Sequence, residues 1–249
     1  ETTLTVWQEK YPALTTDVGA LLRESLGENV RLGMSDLPRV KIPAGGALNW
    51  ELPTGKAVKV LEGVVVLYQP VRAYWQEEYA GGGTPPDCSS EDVIHGSGMF
   101  GPRSEINATG LCEQCPLSKF GSGKDNSQGC RLITRLFLLT ESAIVPTLVL
   151  LPPSSYRAAR EYIRDIAILY RTVPTAVMTR MTLTKDKSAG GIEYSKVLFE
   201  RPQPLPVEIA AALKAYRLTI EAALRAVPVA AAEDLEWEAL AGSEEKEEV

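Results

Sequence analysis

Four cysteines carry the most specific spacing in the chain. Cys112 and Cys115 are parted by two residues, fourteen residues intervene before Cys130, and twenty-three separate Cys88 from Cys112. A two-residue-spaced pair on a turn, completed by thiols from longer loops, is the arrangement of a tetrahedral four-thiolate zinc site. Gly110 and Pro116 flank the pair and Gly129 precedes Cys130, which suits tight turns around an ion. Such a site is closed and folds a loop rather than catalysing, so a structural zinc on Cys88, Cys112, Cys115 and Cys130 is expected. His95 is a second candidate for the ligand place of Cys88. Free thiols or two disulfides are the alternative, although no secretory signal is visible to accompany disulfides.

Other chemistries fit less well. His95 is the single histidine, which excludes sites needing two and leaves one base for a serine or cysteine nucleophile. Aspartates and glutamates form no recognisable metal-binding pattern, and no glycine-rich phosphate loop is present. The chain is expected not to be an enzyme.

Charge points elsewhere. The net charge of the 249 residues is −6, but Glu233–Val249 holds eight acids and one base. The remaining 232 residues carry 24 acids and 25 bases, a near-neutral body with an acidic tail. Within the body, Tyr156–Arg201 has nine bases against five acids. By period two, Arg131, Ile133, Arg135 and Phe137 share one strand face. With Arg72, Lys119, Lys124, Arg180, Lys185 and Lys187, these bases and the aromatics Trp50, Tyr74, Trp75, Phe120, Phe137 and Tyr194 form a candidate nucleic-acid-binding set. Single-strand binders combine a cationic groove with stacking platforms worth about 1–3 kcal/mol per base. The structural alternative is that strand aromatics fill the core and that Arg157, Arg160 and Arg164 are a solvated helix face.

The elements that must position these residues follow from periodicity. Val18, Leu21, Leu22 and Leu26 predict a helix within Thr15–Leu26, capped by Thr15, Thr16 or Asp17. Strands are expected at 39–42, 48–52, 58–68, 71–75, 132–139, 145–151, 173–184 and 192–199. Helices are expected at Tyr156–Tyr170 and about Val207–Val227, the first begun by Pro152-Pro153-Ser154-Ser155. Lys185–Gly191 reads as a loop. No apolar run approaches the ~20 residues of a membrane span.

These elements divide as an N-terminal helical segment (1–36), a β-rich domain (37–200) with an irregular insertion (81–130), a C-terminal helix (201–228) and a disordered acidic tail (229–249). Five strands with a helix between the third and fourth is the element order of an oligonucleotide/oligosaccharide-binding (OB) barrel, which the central domain resembles. There the face of strands two and three, with the loops after strands one and four, holds the ligand. The expected fold is α+β, mainly β: an OB-like five-stranded barrel with a zinc-binding loop insertion. Another small α+β sheet of the same order is the alternative.

The string Cys112-x-x-Cys115-Pro116-Leu117, then Phe120-Gly121-Ser122, Gly129-Cys130, Leu151-Pro152-Pro153-Ser154-Ser155 and Gly191-Ile192-Glu193-Tyr194-Ser195 is similar to a family of mostly uncharacterised bacteriophage proteins. Lys41-Ile42-Pro43-Ala44-Gly45-Gly46 belongs to the same likeness, which covers about residues 37 to 200. More distantly, a barrel with an acidic tail resembles phage single-stranded DNA-binding proteins, some of which carry a zinc insertion. This tail ends in Glu248-Val249 rather than in an aromatic residue. The resemblance implies a non-sequence-specific single-stranded DNA-binding protein of phage replication or recombination, in the cytoplasm of the infected host. It would have single-stranded DNA as partner, phage replication proteins recruited through the tail, and no membrane. The alternative is a regulatory protein that binds a host or phage polymerase through its C-terminal region.

Overall fold

In the computed structural model, residues 3–27, 32–40, 42–43, 45–77, 85–102, 104–123, 126–187, 191 and 193–229 are described. The chain is α+β and mainly sheet. The elements are α1 (Thr3–Lys10), α2 (Val18–Leu26), β1 (Arg39–Val40), β2 (Trp50–Glu51), β3 (Ala57–Val58) and β4 (Val60–Tyr74). There follow β5 (Cys88–Ser90), β6 (Ser97–Gly98), β7 (Arg131–Leu139), β8 (Thr147–Leu151), α3 (Pro153–Ile168), β9 (Val177–Lys187), β10 (Glu193–Phe199), β11 (Gln203–Pro204) and α4 (Val207–Arg225). Two differences from the sequence reading stand out. The expected strands 58–68 and 71–75 are one strand through Pro70, and the N-terminal helical segment holds, besides the helix expected within 15–26, a first helix α1 whose bounds the sequence reading did not give. The expected acidic tail lies, from residue 230 on, outside the described residues.

The chain divides into two compact units, residues 1–68 with 135–227 and residues 69–134 with 228–249. In the first, the strands neighbour one another in the order β8-β7-β4-β9-β10, with α3 between the third and fourth in sequence. β4 runs antiparallel to β9 from Val60↔Thr182 to Gly63↔Thr179, and β9 to β10 from Lys187↔Glu193 to Met181↔Phe199. Gly63 is required where β4 meets β7: a Cβ there would stand 2.6 Å from the Leu139 carbonyl oxygen. One apolar cluster takes Leu61 and Val65 from β4, Leu136 and Leu138 from β7, Val149 and Leu151 from β8, Met181 and Leu183 from β9, and Val197 from β10. Five strands thus bend around a single core, to which α3 adds Ala159.

No pairing of β8 with β10 occurs among the described residues, so the ladder that would close a five-stranded barrel is missing from them. Pro38, β1, Pro43 and Ala47 bridge that seam. β1 pairs in parallel with β8, the Leu148 N–H donates to the Pro38 carbonyl at 2.7 Å, and Ser195 Oγ on β10 lies 2.9 and 2.7 Å from the carbonyls of Pro43 and Ala47. Val40, Ile42 and Trp50 enter the core from this side, and Trp50 Nε1 donates to the Met181 carbonyl at 3.2 Å.

β7 and β8 are buried on both faces. Behind the core face, Arg135, Phe137, Leu139, Leu148 and Leu150 are also buried. Helical elements pack on this side. Arg135 Nη1 donates to the Val227 carbonyl at 2.7 Å, Tyr216 of α4 to the Ile144 carbonyl, and the Ser142 N–H to the Lys10 carbonyl. α4 turns Ile209, Leu213, Tyr216, Ile220 and Leu224 inward, the stripe its periodicity predicts.

On α4, Glu221 accepts hydrogen bonds from Arg217 and Arg225, one turn away on either side. Arg217 first, against some burial and with Arg225 in support, lowers its pKa to about 2. A carboxylate depressed in the folded state stabilises it above its ordinary pKa of about 4.3 and ceases to as pH falls toward 2. Glu221→Gln is therefore expected to lower the melting midpoint at pH 7 through a stability loss of less than about 1 kcal/mol, the scale of such helix-surface pairs. The wild-type advantage should fade between about pH 4.5 and pH 2. Melting curves of both proteins across that range check it, and an advantage that persists at the acid end would contradict it.

Candidate nucleic-acid interface

The second unit contains the expected insertion and all four cysteines. Backbone hydrogen bonds knit it: Cys112 N–H to the Ile94 carbonyl, Gly96 N–H to the Gly110 carbonyl, and Cys130 N–H to the Leu117 carbonyl. Gly98 and Gly110 take left-handed φ values of 106° and 69°, and a Cβ at Gly98 would lie 2.4 Å from the Asp87 carbonyl oxygen. The thiols are all free and buried. Burial raises the pKa of Cys88, and that of Cys130 to about 12, despite the nearby Arg72 guanidinium.

The zinc expectation is corrected here. Among the described residues no group of three or more His, Cys, Asp or Glu side chains is placed to hold a metal ion. The segment is instead ordered by its backbone bonds and glycine turns. Nor does His95 stand in for Cys88. Its Nδ1 lies 2.7 Å from Asp92 Oδ2, while Asp92 Oδ1 accepts from Ser90 Oγ and the Ile94 and His95 N–H groups. Burial works against the Asp92 charge, but these bonds, His95 foremost, hold the carboxyl below the usual range.

Seven of the candidate nucleic-acid residues fall in this unit. Arg72 Nη1 donates to the Cys130 carbonyl at 3.2 Å, and Tyr74 packs edge-on against Phe100 at 5.2 Å. Trp75 is half-buried and Arg131 exposed. Lys119 Nζ donates to the Glu113 carbonyl, and Phe120 beside it is 77% exposed. Lys124 lies outside the described residues. Residues 69–134 hold five bases against eight acids, so the unit is acidic.

Residues 1–68 and 135–227 carry twenty bases against sixteen acids. Three candidates there are removed from any surface: Trp50, Arg135 and Phe137 are fully buried. The remaining four, Arg180, Lys185, Lys187 and Tyr194, lie on β9 and β10. The two lysines expected in a loop extend β9. The pleat then sorts the side chains between faces. Lys185 and Lys187 share one face with Glu193, which both lysines pair with, Lys185 at 2.5 Å and Lys187 at 3.5 Å. Tyr194 shares the other with Arg180, Lys196, Asp186 and Thr184. Lys196 Nζ lies 3.1 Å from Asp186 Oδ2. Arg180 is bonded to Glu62 of β4 on one side and to Glu200 on the other.

The sequence reading missed Lys196, Glu62 and Glu200 as parts of this surface. The alternation of 193–199 was a signal for Lys196, but the glutamates become neighbours of Arg180 only through the register of three strands. No helix among the described residues is long and apolar enough to cross a membrane. No family model, curated protein or solved structure matches the chain.

Proposed function

We propose that this chain binds single-stranded nucleic acid without catalysing its reaction, in the role of a phage replication or recombination protein. The observation that carries the reading is the strand order third-second-first-fourth-fifth around one core, with a helix between the third and fourth. That order supports an OB-like barrel with its seam bridged by β1, Pro43 and Ala47. In such barrels the loop joining the fourth and fifth strands belongs to the ligand site. Here that hairpin carries Lys185, Lys187, Lys196 and Tyr194. Their present carboxylate partners, Glu193 and Asp186, are partly exposed, and solvated pairs of this kind are weak enough to be exchanged for phosphate.

Titrating the full chain into a labelled thymidine oligonucleotide at several salt concentrations tests it. Affinity should fall with salt, with a slope of about −0.7 for each phosphate neutralised. Lys185→Glu/Lys187→Glu/Lys196→Glu should weaken binding more than about tenfold, since three phosphate contacts are reversed. Absence of binding at low salt sinks the reading. A second reading has its own observation: Ile94, Met99, Ile106 and Phe120, all in the acidic unit, are each at least half exposed. Such side chains suit contact with a protein partner. Capture of a phage or host polymerase without oligonucleotide binding would favour it.

A further inference from the structure

We infer that the nucleic acid crosses the outer face of β4, β9 and β10, and that Arg180 is a phosphate contact withheld by Glu62 and Glu200. This rests on single-strand binding as read above and names where and how it occurs. The face of the second and third strands, the usual ligand surface of an OB barrel, is closed off, because the residues of β7 and β8 that point away from the core are buried beneath helices. On the corresponding face, Val64 and Val66 of β4 are buried, but the part formed by Val60 and Glu62 with β9 and β10 is more open among the described residues. Arg180, Thr182 and Thr184 on it are half-buried, as are Tyr194 and Lys196, and Leu198 is exposed.

The ladder register arranges these side chains in rows. Toward the hairpin, Asp186 stands opposite Tyr194 and Thr184 opposite Lys196. Next come Val60, Thr182 and Leu198 across three strands. The last row is Glu62, Arg180 and Glu200. A tyrosine ring, a leucine and two threonines make a platform for bases, with Lys196 at its edge for a phosphate. The last row presents two carboxylates to one guanidinium and so bears a net negative charge. A polyanion laid over the platform is repelled at that row, and Arg180 is occupied. Removing the two negative charges would release a guanidinium with the planar donor geometry that suits a phosphate.

The experiment measures the salt dependence of thymidine oligonucleotide binding by the full chain, Glu62→Gln/Glu200→Gln, and Glu62→Gln/Glu200→Gln/Arg180→Gln. Melting curves confirm that each variant is folded. The double variant should bind more tightly, with a slope steeper by about 0.7, the increment for one added phosphate contact on a single strand. The triple variant should lose that increment. Thr184→Glu, which puts a charge in mid-platform, should weaken binding several-fold. An unchanged slope in the double variant overturns the inference. So does an increment that survives in the triple variant, since the gain would then come from net charge and not from Arg180. Wild-type protein that binds no oligonucleotide would overturn the preceding reading, a distinct result.

Discussion

Trp50→Ala is expected to destabilise the chain by about 3–5 kcal/mol, the usual cost of truncating a buried tryptophan. For a chain of this size that is a fall of roughly 6–20 °C in melting midpoint. The ring is wholly buried among strand residues of the core, and its N–H is committed to the Met181 carbonyl. Truncation therefore opens a cavity and removes one donor from the Met181 carbonyl. Trp50→Phe should recover most of the packing and leave a deficit of about 1 kcal/mol from the lost hydrogen bond. Urea melts of the three proteins measure both. If Trp50→Ala melts like wild type but loses oligonucleotide affinity, the indole serves a ligand and its placement in the core is wrong.

Arg135→Ala is expected to cost about 3 kcal/mol, by a different route. The guanidinium is fully buried, bonded to the Val227 carbonyl, and stands 5.8 Å from the Phe137 ring centroid. Loss of the side chain leaves the carbonyl without this donor, about 1–3 kcal/mol, and forfeits the contact of cation with ring. Arg135→Met fills the volume without the donor and should fall between alanine and wild type. The position is diagnostic, since a groove arginine would tolerate alanine with a stability change within about 0.5 kcal/mol. A stable Arg135→Ala protein with a shallower salt slope would return this residue to the binding surface.

The fold was largely legible where one residue's neighbours in sequence decide its state. The β-branched run of β4, the Pro-Pro start of α3 and the apolar stripe of α4 all emerge close to their expected bounds. What periodicity cannot say is which face of a strand is covered. Arg131, Ile133, Arg135 and Phe137 do share a side of β7, but helices distant in sequence bury most of that side. The unbroken apolar run Leu136–Leu139 was the available signal, because continuous runs mark strands buried on both faces. Charge was misleading for a related reason. Counting bases between Tyr156 and Arg201 shows an excess, but the pairing of Lys185 with Glu193 and of Arg180 with Glu62 depends on register. The cysteines were misread because spacing fixes which thiols are available, not where the folded loops place them.

The bridge over the seam also has a history in time. Its carbonyls at Pro43 and Ala47 meet a serine 152 and 148 residues later in the chain. On a ribosome adding about 5–20 residues per second, the early segment must wait roughly seven to thirty seconds for that partner to emerge. Until then the edge of β8 can gain β1 but not the far side of the seam. Closure is a late, long-range step, and so a slow one, because chain entropy is lost before the contact rewards it. Nascent chains halted before Ser195 should therefore be far more easily cleaved by protease within residues 38–47 than finished ones.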